Sequence, residues 1–154
     1  MTILKMQGRH HRGIIALAEA LPDWFDEDAR KRSIPIDIRI HRGFAALEQD
    51  RLIGFVTFTS EYGFGRISWI GVDPKSHRKG IGRKLVDAVE QAMRQAGVKE
   101  VRVETVGWSE PPHEPYAKTL LFYEALGFKV RKQGEVCEGA GYRWRMYDLS
   151  KQLA

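Results

Sequence analysis

"VDPKSHRKGIGRKLV", residues 72–86, sets a proline and two glycines among six basic side chains and then turns apolar. The charge gathers where a helix begins. A helix N-terminus leaves backbone N–H groups unpaired and carries about half a positive charge. Phosphate oxygens satisfy both demands, provided no side chain blocks their approach. Gly80 and Gly82 remove that obstruction, one at the turn and one inside the first helical turn. Lys75, Arg78, Lys79, Arg83 and Lys84, with His77, supply charge around them. The stretch therefore reads as a cradle for a phosphorylated ligand, against the plainer reading of a solvated helix start. Spacing excludes the usual nucleotide loops: there is no G-x-x-x-x-G-K-[ST], and Lys84 and Leu85 stand where a dinucleotide fingerprint needs its third glycine. Nucleic acid is not expected, because the basic cluster is confined and lacks exposed aromatic neighbours for base stacking.

Outward from this point the chain alternates between the two hydrophobic periods. "TILKM" reads as a first strand, and Ile14, Ile15, Leu17, Ala18 and Leu21 recur at helical spacing until Pro22. Asp23 is placed to cap a second short helix beginning at Trp24. Residues 43–72 read as three strands with tight turns near Gln49-Asp50 and Tyr62-Gly63. After the opening motif, Leu85, Val86, Val89, Ala92, Met93 and Ala96 form one helical stripe that Gly97 can end. "EVRVETV" is a strand, and "EPYAKTLLFYEAL" is a helix with Pro115 in its first turn and Gly127 after its last. "GFKVRK" and "YRWRMYDL" close the chain as a strand pair. The order is β-α-α-β-β-β-α-β-α-β-β, a mixed α/β (α+β) domain. With no repeat or linker-like tract, residues 1–154 are expected to form one domain.

The composition is that of an ordinary soluble globular protein, 43% hydrophobic and 29% charged over 154 residues. No window approaches a membrane span, and "MTILKMQGRHHRG" holds no apolar run of signal-peptide length. The lone Cys137 cannot form an intramolecular disulfide, so a cytoplasmic setting is expected, with Cys137 as a small apolar filler in a late strand. The net charge of +5 favours anionic ligands. The five histidines show no metal-ligand spacing, and His10-His11 reads as a solvated turn or helix start.

"GVDPKSHRKGIGRKLV" resembles the acetyl-CoA signature of the GNAT N-acetyltransferase superfamily, a strand ending in Val-x-Pro followed by [Arg/Gln]-x-x-Gly-x-[Gly/Ala]. Forty residues on, "TLLFYEALGF" is similar to that family's helix carrying Phe-Tyr-x-x-x-Gly-Phe. Both motifs, in this order and at this separation, imply a GNAT fold with a mixed central sheet flanked by helices. They also imply acetyl-CoA as co-substrate, with no metal. Two positions depart from the pattern: His77 replaces the usual Arg or Gln, and Tyr116 stands where many members have Asn.

The resemblance implies a chemistry with three needs. The thioester oxygen gains negative charge and needs a preorganised donor; the family places a backbone N–H there, around Ile70, Gly71 and Val72. The pyrophosphate meets the backbone from His77 through Arg78, Lys79, Gly80, Ile81 and Gly82 to Arg83, and Thr119 joins Tyr123 among the cofactor contacts. The departing thiolate needs a proton, and by family position Tyr123 is the acid. With a thiol pKa of about 8.5 and a tyrosine pKa of about 10, that transfer is uphill by roughly 2 kcal/mol. The amine must be neutral to attack. At a pKa of about 10.4, only about one molecule in 2,500 is neutral at pH 7. Glu104, and behind it Glu61 and Tyr62, are candidates to orient a water for its deprotonation. Glu110, His113 and Glu114, in "GWSEPPHEP", are placed to greet a cationic acceptor. The expected acceptor is a primary amine of a small molecule or peptide, with no membrane partner and a homodimer left open. The rival reading is a noncatalytic module that binds CoA or nucleic acid through the basic cluster.

Overall fold

The apolar stripe of residues 85–96 does form a helix, and the sheet is built around it. The structure, a computed structural model, describes residues 1–154. Strand β1 (Thr2–Lys5) leads into α1 (His11–Glu19) and, after a loop and a widened turn, α2 (Ile34–Ile40). Three antiparallel strands follow, β2 (Arg42–Glu48), β3 (Arg51–Glu61) and β4 (Phe64–Val72). Then come α3 (Ile81–Gln95), β5 (Glu100–Glu110), α4 (Glu114–Ala125), β6 (Lys129–Gln133), β7 (Cys137–Gly139) and β8 (Tyr142–Gln152). The strands make one mixed sheet in the order β1-β2-β3-β4-β5-β8-β6, with β7 added to β8. Only β4 and β5 run parallel.

Helices cover both faces. Leu85, Val86, Val89 and Met93 of α3 pack with Tyr123 and Phe128 against Ile53, Val56 and Ile67 of the sheet. On the other face Ile14, Leu17 and Ala18 of α1 and Ile34 and Ile38 of α2 close over Phe55. No helix is long and apolar enough to cross a membrane.

Local chemistry explains most boundaries. Gln49 and Asp50 both take left-handed φ, at 50° and 66°, as a two-residue hairpin turn requires. Gly97 and Gly127, at φ 78° and 96°, end α3 and α4 as left-handed caps. The segment before α2 differs from expectation. Asp23 caps no helix; helical structure starts later, and Asp26 Oδ1 accepts the Ala29 N–H at 2.8 Å. Pro35 lacks the N–H that would reach the Lys31 carbonyl and its ring crowds that carbonyl. The five-residue π turn Ala29–Ser33 sits directly before it.

Two further corrections concern single residues. His10 is not solvated: it is buried, and its Nδ1 accepts the Gln7 N–H at 3.0 Å. Burial, with Arg9 and His11 beside it, lowers its pKa. Cys137 is exposed on β7, a three-residue strand too short to leave a period in the sequence.

Candidate active site

The site exists because two parallel strands part. β4 and β5 pair only at Gly65, Arg66 and Ile67, opposite Val101, Arg102 and Val103. At the next residue β4 bulges: Thr57 faces Trp69 and Phe58 faces Ile67, leaving Ser68 unmatched. Beyond it, β4 continues to Val72 and β5 to Glu110 as the arms of a V. A cleft of about 1150 Å³ fills the gap. Ser68, Trp69, Ile70, Gly71 and Val72 line one arm, and Glu104, Thr105 and Val106 the other. The expected splay at Ile70 to Val72 is therefore present, and it opens two residues earlier. Gly71 is not the bulge. A Cβ there would lie 2.7 Å from the Phe55 ring, so glycine lets the α1–α2 side pack closely.

At one end of the cleft the loop after β4 turns into α3. Arg78 and Gly80 both have left-handed φ, 68° and 76°. Successive N–H groups in such a loop point to one side and form an anion-binding concavity. The N–H groups of Arg78, Lys79 and Gly80 make no backbone hydrogen bond, and Lys84 is the first residue to bond back, to the Gly80 carbonyl at 3.1 Å. The Ile81, Gly82 and Arg83 N–H groups are thus the free first turn of the helix. Lys75, Arg78, Lys79, Arg83 and Lys84 are exposed and form no salt bridge, whereas Arg51, Arg66, Arg102, Arg131 and Arg143 all do. Unpaired cations around free donors are the arrangement an anion needs.

His77 serves this loop without pointing at its ligand. Its Nε2–H donates to the Val72 carbonyl at 3.0 Å, and its ring meets Trp24 edge-on at 5.6 Å. The two glycines have different reasons. Gly80 carries the left-handed turn, with open space where a side chain would be. Gly82 instead makes room for α4: a Cβ there would stand 3.0 Å from the Phe122 ring.

From the α4 side, Thr119, Phe122 and Tyr123 line the cleft. Thr119 Oγ1 donates to the Pro115 carbonyl at 3.0 Å, within its own helix. Tyr123 is buried between Phe122 and Phe128, with ring centroids 5.1 and 5.4 Å away. Burial raises its phenol pKa far above the ordinary value. The proton is held firmly.

The other end was largely invisible in the sequence. It is formed by Trp24, Phe25 and Asp26 before α2, Tyr116 on α4, and Tyr142, Trp144 and Met146 on β8. Tyr142 and Trp144 stack at 5.7 Å, and the buried Tyr142 hydroxyl has no hydrogen-bond partner. Tyr116 has a raised pKa, first through burial and then through Tyr142 and Asp26. His113 packs on Tyr116 at 4.4 Å and its Nε2–H donates to the Asp23 carbonyl at 2.6 Å.

The loop acids do not greet a cation. Glu110 is paired with Arg143 and Glu114 with Lys118, each at 3.1 Å. Glu104 lines the cleft beside Arg66, at 3.5 Å. Glu61 lies outside the cleft lining and pairs with the same Arg66 at 3.3 Å, while Tyr62 is fully exposed.

Comparison with known proteins agrees with this architecture. A Streptococcus mutans protein of known structure superposes with TM-score 0.82 at 20% identity, covering 100% of both chains. An aminoglycoside 6'-N-acetyltransferase complexed with coenzyme A gives TM-score 0.76 at 17% identity, over 99% of this chain and 97% of that one. Mycothiol acetyltransferase of Segniliparus rotundus is 33% identical over 92 residues, 56% of this chain and 32% of that protein. The chain thus spans about a third of the length of that curated relative. The family model of the GNAT acetyltransferases matches residues 14–128, most of the chain and both motifs, and the protein belongs to the GNAT acetyltransferase family.

Proposed function

We propose that the protein transfers an acetyl group from acetyl-CoA to the nitrogen of a primary amine. One observation carries the reading: β4 and β5 part directly beside an unpaired anion cradle, and Tyr123 lines the same cleft. The cradle of residues 77–83 fits a pyrophosphate, and the apolar cleft beyond it fits an extended pantetheine arm. The V then receives the thioester.

Each residue has a task in this account. Backbone N–H groups of Ile70 to Val72 face the thioester oxygen, because β4 has no β5 partner there to take them. Fixed donors of this kind act without reorganising as charge develops. The amine nitrogen attacks the carbonyl carbon, the C–S bond breaks, and Tyr123 passes its proton to the leaving sulfur. Burial raises the cost of a phenolate, but it raises that of a thiolate in the same cleft too. The difference between the two anions sets the barrier, and it stays modest. The surplus proton of the amine leaves through water held by Glu104 and returns to Tyr123 at the end of the cycle. The products are an acetamide and free CoA thiol.

Tyr123→Phe tests the assignment, since it keeps the ring between Phe122 and Phe128 and removes the proton. General acid catalysis contributes about 10²–10⁴-fold, so kcat for thiol release should fall within that range. Calorimetry should show acetyl-CoA affinity little changed. A kcat within about threefold of the unmodified enzyme, with chemistry rate-limiting, would remove Tyr123 from the acid role.

A further inference from the structure

The end of the cleft opposite the anion cradle has a composition that selects among amines. Two aromatic walls meet there. Trp24 and Phe25 precede α2, and Phe25 meets Trp69 edge-on at 5.8 Å. Tyr116 and the stacked pair Tyr142 and Trp144 stand on the other side. Asp26 follows Phe25 in the chain and lies close enough to act on Tyr116, so its carboxylate sits where the walls meet.

The acids of this region are not equivalent. Asp28 faces Arg32 at 3.9 Å, and Glu104 faces Arg66 at 3.5 Å. Asp26 has no basic partner; Oδ1 holds the Ala29 N–H, and Oδ2 makes no hydrogen bond. A single uncompensated carboxylate among aromatic faces holds one ammonium, by charge and by cation–π attraction. A polycation would leave its further charges against aromatic walls, in a protein whose own charge is +5. The buried, unpartnered Tyr142 hydroxyl adds one polar handle for the body of the acceptor.

We infer that the acceptor is a small monoamine whose single primary ammonium is carried on an aromatic or broad apolar body, with Asp26 as the ammonium contact and Tyr142 and Trp144 as the wall it packs on. This rests on the acetyl-transfer reading above. The test compares kcat/KM for phenethylamine, n-butylamine and spermidine at saturating acetyl-CoA, by thiol release. Phenethylamine should exceed spermidine by at least about tenfold, the weight of one desolvated aromatic contact. Asp26→Asn retains the oxygen that caps Ala29 and removes the charge. It should raise KM for phenethylamine about tenfold and leave KM for acetyl-CoA unmoved. Transfer that favours spermidine, or an Asp26→Asn enzyme with unchanged KM for phenethylamine, overturns this assignment alone. Failure of every amine while acetyl-CoA binds overturns the transfer reading and this one with it.

Discussion

At the scale of single residues, two glycines two positions apart do different work, and only one was readable beforehand. Gly80 is needed for its left-handed φ of 76°. An L side chain there costs about 1–2 kcal/mol, less for Asn, whose short polar side chain tolerates the conformation. Gly80→Ala should therefore lower denaturant stability by about that amount, with Gly80→Asn in between. Equal losses in both variants would show that backbone conformation is not the reason for the glycine. Gly82 was assigned to phosphate approach from its spacing, but the Phe122 ring 3.0 Å from its missing Cβ is a contact no local pattern contains. Tyr123 was found by its motif; its burial, which fixes its protonation, required the packed core. Because burial raises the Tyr123 pKa, the acid form persists as pH rises. The rate should climb as the amine deprotonates and hold to about pH 10, the ordinary tyrosine pKa. An alkaline fall beginning near pH 8 would mean a different acid.

At the scale of elements, order and type were readable because hydrophobic period, glycine caps and turn dipeptides agree with one another. The start of α2 was not, since both Asp23 and Asp26 can cap and the choice depends on how the loop seats Trp24 and Phe25. β7 has only three residues. The V between β4 and β5 follows from a bulge at Ser68, and a bulge has no fixed sequence signature. Its inner arm depends on close packing at Gly71. Gly71→Ala would place a methyl 2.7 Å from Phe55 and also crowd Leu21 and Phe25. Overpacking of this kind costs about 1–3 kcal/mol, which chemical denaturation should register. A neutral result would show that the α1–α2 side gives way freely. The loop before α3 carries a separate expectation. Because Arg78, Lys79 and Arg83 are exposed, acetyl-CoA affinity should weaken with added salt, and replacing all three with Ala should flatten that dependence. An unchanged salt slope in calorimetry would put the anion elsewhere.

At the scale of the whole molecule, the cofactor end was readable because one contiguous stretch builds it, while the acceptor end joins Asp26, Tyr116 and Trp144 across the chain. Stability should also carry a pH signature from His10. Burial lowers its folded pKa below the unfolded value of about 6.5, so the unfolded chain takes up a proton first. Stability is then complete above that value and declines as pH falls below it. His10→Asn, which keeps an acceptor for the Gln7 N–H, should flatten the decline in thermal melts, and an unaltered slope would assign it to another group. The central claim is that the parted strands, the anion cradle and Tyr123 together move an acetyl group onto nitrogen. Its most direct test is stoichiometry with acetyl-CoA labelled in the acetyl group, counting free thiol and labelled acetamide by mass spectrometry in the presence of phenethylamine, n-butylamine, spermidine and a short peptide. The account predicts one acetamide for each thiol released. Thiol released without acetamide, or neither product while acetyl-CoA is bound, would contradict it.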